Sequence, residues 1–123
     1  MRTRLEVIKA TQMEGKILFH VEEDIEENLV ATGQLITDQD NVAFIYLLDN
    51  GSNYIYLSFK EPIWSKLSDL VTNDDKPYIK VGKQEIELTH FLAELHYLID
   101  NIDGNANYGV EMEQKVRQYF INT

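Results

Sequence analysis

Three histidines are the first residues to weigh, because a neutral imidazole is the usual general base near neutral pH. His20 stands on the polar side of an alternating stretch, across from Lys9. His90 and His96 share one helical segment but lie about 120° apart around it, at about 100° per residue. They cannot chelate one metal from that helix alone. Each has a carboxylate four residues on, Glu94 and Asp100, which is the spacing of a solvated surface pair. Asp38 and Asp40, flanking Gln39, resemble the acidic pairs that hold metals in sugar-nucleotide enzymes, but Asp and Asn here also suit a turn. No cysteine is present, so thiolate chemistry and thiolate metal sites are excluded. Nor is there a Gly-x-Ser-x-Gly elbow, a His-Glu-x-x-His pair, a Walker loop or a dinucleotide fingerprint. The residues nominate no catalytic group, no metal-ligand set and no cofactor.

The densest polar stretch runs from Asp100 to Gly109, reading Asp-Asn-Ile-Asp-Gly-Asn-Ala-Asn-Tyr-Gly. A calcium loop is excluded by its register: with Gly104 in the sixth position, Ile99 would be first and Val110 twelfth, and neither can ligate. The remaining candidates to meet a ligand or partner are Asp103, Asn105, Asn107 and Tyr108. Gly104 has a helix-ending duty and Asn107 a capping one, which leaves Asn105 and Tyr108 the freer pair. Tyr54 and Tyr56 form a second candidate surface, on the same face of a hairpin as Ile45 and Leu47 across from them. Tyrosine gives large contact area at low entropic cost, which suits an interface unless a helix or strand covers it.

These residues must be positioned by local elements, and side-chain parity gives the hairpins. Around Glu14-Gly15, pairing positions that sum to 29 puts Ile8, Ala10, Ile17, Phe19 and Val21 on one face and Lys9, Thr11, His20 and Glu22 on the other. Asn50-Gly51 signals a two-residue turn, with Val42, Phe44, Tyr46, Leu48, Ile55, Leu57 and Phe59 on one face. A strand over Gly33–Thr37 precedes it through the Asp38–Asn41 turn. A last hairpin turns at Gly82-Lys83, with Ile79, Val81 and Ile86 together and Lys80 across from Glu85. Pro62 opens a helix carrying Ile63, Trp64, Leu67 and Val71. Thr89 can cap a second helix striped by Phe91, Leu92, Leu95, Leu98, Ile99 and Ile102, ended by Gly104. A third buries Met112, Val116, Tyr119 and Phe120, with Glu111–Lys115 and Glu113–Arg117 at helical-pair spacing. Glu22–Leu29 reads as a short acidic helix or an irregular connection.

The expected fold is therefore α+β: an antiparallel sheet of about six to seven hairpin-built strands with about three helices packed on it, as a single domain over 1–123. A chain of 123 residues with 44% hydrophobic and 26% charged residues is an ordinary globular composition. Its net charge is −10. No Lys or Arg falls between Ile17 and Phe59, where Glu22, Glu23, Asp24, Glu26, Glu27, Asp38, Asp40 and Asp49 stand. Phosphate-backbone binding needs clustered cations, so neither nucleic acid nor an anionic membrane is expected as a direct partner. Solubility is the simplest account of the acidity. Arg2 and Arg4 precede no signal sequence, since Glu6 and Lys9 interrupt the apolar stretch that would have to follow. The longest apolar run, Val42 to Leu48, is too short to span a bilayer.

The stretches Gly33-Gln34-Leu35 through Asp38, Ala43–Leu48 and above all Glu94–Gly109 carry a resemblance to the YjbL-like proteins of Gram-positive bacteria. It covers roughly Thr32 to Phe120, with the loop Asn101–Gly109 its specific part. The resemblance implies a bacterial cytosolic protein and no particular mechanism. The expectation is then a cytoplasmic, non-catalytic protein-interaction or binding module, taking a protein partner or a second copy. The alternative is a small-molecule binder or minor enzyme using 100–109 with His90 or His96.

Overall fold

A computed structural model describes residues 3–121, so Arg2 lies outside the described residues. The fold is α+β, with eight strands divided between two mixed sheets. The strands are β1 (Thr3–Glu6), β2 (Lys9–Met13), β3 (Lys16–His20), β4 (Val30–Asp38), β5 (Ala43–Asp49), β6 (Tyr54–Lys60), β7 (Lys76–Val81) and β8 (Gln84–Glu87). The first sheet has the order β1-β6-β5-β4 and the second β2-β3-β7-β8. The single antiparallel sheet of about six to seven strands expected from the hairpins is found as two four-stranded sheets. Each sheet contains one parallel pair, β1 with β6 and β3 with β7.

The two sheets share one run of chain. Val7 donates its N–H to Ser58 O at 2.9 Å in the first sheet, and its neighbour Ile8 donates to His20 O at 2.9 Å in the second. The β1–β2 segment thus pairs along one edge before this point and along the other after it. At the far side, Gln84 ties the sheets through the 22–29 connection. Its side chain accepts from Leu29 N at 2.9 Å and donates to Ile25 O and Glu27 O at 3.2 and 2.9 Å. That connection is irregular, not helical.

The Glu14-Gly15 hairpin keeps the register read from its parity, Lys9 facing His20 and Met13 facing Lys16. Ile17 and Phe19 are buried as expected, whereas Ile8, at the changeover between sheets, is 45% exposed. The Gly82-Lys83 hairpin also keeps its register. The Asn50-Gly51 hairpin does not: Asp49 pairs with Tyr54 and Ala43 with Lys60, closing a four-residue loop. Asn50 accepts from the N–H groups of Ser52 and Asn53 at 2.9 and 2.8 Å, so its side chain builds a wider turn than a type I′. The slip is two residues and the side-chain period of a strand is also two. The buried face is therefore unchanged.

A short 3-10 turn over Glu61–Ile63, containing Pro62, leads into α1 (Trp64–Asn73). Then come α2 (Phe91–Ile102), a 3-10 turn over Ala106–Tyr108 and α3 (Val110–Val116), which widens into a final π turn over Arg117–Ile121. Their buried residues (Trp64, Leu67 and Leu70; Phe91, Leu95, Ile99 and Ile102; Met112 and Val116) join Phe44, Tyr46, Leu57 and Phe59 from the first sheet and Phe19, Ile79 and Val81 from the second in one cluster. Phe59 meets Phe19 edge-on at 5.1 Å and Phe91 at 5.1 Å, linking both sheets to α2. The Trp64 indole N–H is satisfied by Phe59 O at 2.8 Å, as burial of that group demands.

One capping expectation and one ion-pair expectation are corrected. Thr89 does not cap α2, which has no side-chain cap and begins after His90 in the left-handed conformation, φ 63°. Thr89 meets the Tyr46 hydroxyl instead, which donates to Thr89 O at 2.7 Å. Lys115 reaches Glu61 at 3.9 Å rather than Glu111, while the Glu113–Arg117 pair stands at 3.8 Å.

Candidate functional site

The 100–109 loop is held largely by its own groups. Gly104 takes the left-handed backbone at φ 72° that a helix end needs, and its N–H meets Glu113 Oε2 at 3.1 Å. Asp103 is bound to Arg117 Nη1 at 2.7 Å. The capping duty belongs to Asn105, whose side-chain oxygen accepts from the Asn107 N–H at 3.0 Å. Asn107 therefore does not cap α3, and its side chain is exposed. Tyr108 is half-buried and packs on the main core. The loop's far end abuts the β4–β5 turn: a Cβ at Gly109 would stand 3.5 Å from Gln39 Cβ.

The histidines are separated. His20 is half-buried, 2.9 Å from Thr11 Oγ1. Burial lowers its pKa, Lys9 and Lys80 lower it further, and Glu85 opposes them. His90 lies against Gly33, and His96 is exposed on α2. Among the described residues no group of three His, Asp or Glu side chains is arranged to hold a metal. Asp38 is engaged in the turn and beyond it. It accepts from Asn41 Nδ2 at 2.8 Å and from Arg4 Nη1 at 2.9 Å.

The Arg4–Asp38 contact marks the most distinctive surface. Arg4 is on β1 and Asp38 on β4, the two edges of the first sheet. Their ion pair therefore spans the outer face, above β6 and β5. Strand parity places Val30, Ile36, Ile45, Leu47, Tyr54 and Tyr56 on that face. Ala43, Ile45 and Leu47, with Tyr56 against them, form a second apolar cluster that no helix residue joins. Tyr54 is 48% exposed, Val30 57% and Ile36 40%. Lys60 and Glu6 add a second ion pair across β6 and β1 at 3.0 Å. A shallow depression of about 330 Å³ lies between Arg4, Asp38, Ile45 and Tyr56, bordered by Gln39 and Asp40. Ser58 Oγ, pointing to this same face, is buried without a hydrogen-bond partner, alone among the buried side-chain polar atoms of the described residues.

Hairpin parity in the sequence puts Ser58 with Tyr54 and Tyr56 on one face, as the register has it, but it does not give Arg4, Ile36 and Asp38 as their neighbours. Arg4 and Asp38 come together because of the parallel β1–β6 pairing, for which no local turn gives a signal. The principal depressions among the described residues are lined by other segments, and none of them by a residue of 100–109.

An α+β chain of this kind, without a metal cluster among its described residues, is defined by its family more than by a recognisable active centre. Residues 5–120 match the model of UPF0738, a family of unknown function, and the chain belongs to that family. It is similar to the UPF0738 protein of Bacillus pumilus (strain SAFR-032), 39% identical over 98% of this chain and 100% of that one. The UPF0738 protein of Geobacillus sp. (strain WCH70) is 44% identical over 71% of this chain and 70% of its own. That of Bacillus cytotoxicus is 34% identical over 98% and 100%. No solved structure matches the chain.

Proposed function

We propose that this bacterial protein is a non-catalytic protein-interaction module of the cytoplasm, and that the outer face of its first sheet is the recognition surface. The carrying observation is a sheet face that no helix residue joins, on which Ala43, Ile45 and Leu47 are already buried under their neighbours and Tyr56 is half-buried. Its borders supply Val30, Ile36 and Tyr54 as exposed apolar area, the anatomy of an interface core. The rim carries both signs, Arg4 and Lys60 against Glu6 and Asp38. A partner protein with an apolar patch and a mixed-charge rim fits such a surface. A small-molecule or enzymatic role for 100–109 has less support, since Asp103, Gly104 and Asn105 spend their polar groups on Arg117, Glu113 and Asn107.

The test is the double variant Ile36→Lys, Tyr54→Lys, used as bait in a lysate of a Bacillus host alongside the native chain. The reading requires a protein that co-purifies with the native bait and is lost from the variant, with the melting temperature unchanged. A co-purifying partner retained by the variant would move the recognition surface elsewhere. Sedimentation over a concentration series shows whether a second copy is that partner.

A further inference from the structure

The second sheet gathers on its outer face four of the lysines that the sequence scatters. The ladder registers place Met13, Lys16 and Lys76 on one rung; Thr11, Leu18, Tyr78 and Glu87 on the next; and Lys9, His20, Lys80 and Glu85 on the third. Rungs two residues apart along a strand share a face, so all these side chains point the same way. With Lys83 at the adjoining turn, this face and its edge hold Lys9, Lys16, Lys76, Lys80 and Lys83, five of the eleven Lys and Arg in a chain of net charge −10. The opposing acids, Glu85 and Glu87, are confined to the β8 edge. Lys16 lies 4.4 Å over the Tyr78 ring and reaches Glu85 at 3.2 Å. Leu18 is buried beneath, while Lys9, Thr11, Lys76 and Lys80 are exposed.

One end of this face is already occupied by acidic chain. Glu22, Glu23 and Asp24 share a depression of about 460 Å³ with Lys9, His20, Lys80 and Lys83. Asp24 is pressed so closely on Gly82 that a Cβ there would lie 2.1 Å from its Oδ1. We infer that the lysine face of β2, β3 and β7 is a docking site for an acidic polypeptide segment of a partner protein, which continues the cover that Glu22–Asp24 begins. The chain's own acidic segment already lies beside the lysines at that end, and opposite charge favours more of the same. The extension of the lysines over three rungs requires an extended ligand rather than a compact anion. This site is separate from the tyrosine-bearing face of the first sheet.

The experiment measures binding of a fluorescein-labelled peptide of alternating glutamate and threonine to the full chain, at near-physiological ionic strength. A neutral asparagine–threonine peptide and an oligothymidylate of equal charge run in parallel. The acidic peptide should bind and the neutral one should not. The triple variant Lys16→Gln, Lys76→Gln, Lys80→Gln should weaken binding about tenfold, the combined effect of three exposed charge pairs. Lys66→Gln with Lys115→Gln should leave it unchanged. Glu22→Gln with Glu23→Gln removes part of the internal cover and should tighten binding, a gain that misfolding does not produce. The His20 pKa, followed by imidazole NMR, should rise when the peptide seats against Lys9 and Lys80. Tighter binding of the oligothymidylate would assign the face to nucleic acid. No binding of the acidic peptide, or equal binding by the lysine variant, would also overturn the inference.

Discussion

The side-chain oxygen of Asn105 accepts the backbone N–H of Asn107 at 3.0 Å, which makes the first of these asparagines the cap and the second the capped. Asn105→Ala should therefore cost about 0.5–2 kcal/mol, the usual range for losing such a cap. Asn107→Ala should stay within about 0.5 kcal/mol, as for an ordinary surface change. Urea denaturation of the two variants measures the contrast, and a larger loss at Asn107 would contradict the capping geometry.

Tyr46 joins three elements through one hydroxyl. It accepts from Gly33 N at 3.0 Å and donates to Thr89 O at 2.7 Å, tying β4 and the start of α2 to β5. Tyr46→Phe keeps the ring and leaves a backbone donor and acceptor unpaired. A loss of about 1–3 kcal/mol is expected. Hydrogen exchange should also quicken at the Gly33 amide.

Asp38 gives a signed pH dependence. Burial alone would raise its pKa, but the Asn41 side chain, Arg4 and the Asn41 N–H together hold it below the ordinary carboxylate value. A group depressed in the folded state stabilises above its unfolded pKa, near 4, and loses that contribution as pH falls through the folded one. The stability gap between the native chain and Asp38→Asn should be constant from pH 5 to neutrality, within the usual precision of about 0.5 kcal/mol, and shrink below about pH 4. Arg4 is 41% exposed at its side chain, so the ion pair itself is worth under about 1 kcal/mol. A gap that widened on acidification would mean that the folded state raises the Asp38 pKa instead of lowering it.

Gly51 and Gly82 both hold left-handed backbone, φ 97° and 58°, but their surroundings differ. Gly51 has open space where a Cβ would go, and Gly51→Val should cost about 1–3 kcal/mol through backbone strain alone. Gly82→Ala carries a similar backbone cost and must also expel the Asp24 carboxylate. Adding Asp24→Ala should recover the second part and not the first. Denaturation midpoints of the single and double variants separate the two contributions.

Much of this fold is legible in the sequence wherever contacts are local. The two-residue turns at Glu14-Gly15 and Gly82-Lys83 fix register by counting. At Asn50-Gly51 the count is off by two because the Asn50 side chain organises a longer loop, yet the buried face survives because the slip is even. The parallel pairings of β1 with β6 and β3 with β7 are not legible. They join segments far apart in sequence, and no turn residue announces them. The same gap hides the lysine face, since Lys9, Lys16, Lys76 and Lys80 look dispersed until β3 and β7 are laid side by side. Tyr54, Tyr56 and Ser58 follow from hairpin parity alone, while Arg4 needs the β1–β6 register. Thr89 and Asn107 look like caps because sequence shows which residues can cap a helix and not which carbonyl or amide lies within reach.

Adjacent amides at Val7 and Ile8 donate into different sheets, and this has a consequence for synthesis. Of these eight strands β1 and β2 are made first, yet β1 has no partner until β6 is made, and β3 lacks its inner neighbour until β7 follows. The leading hairpin must wait, with Ile17 and Phe19 unshielded, for most of the chain to emerge. A nascent chain halted before Lys76 holds every strand of the first sheet but lacks β7 and β8 of the second, so its β2–β3 hairpin should stay protease-sensitive until they emerge.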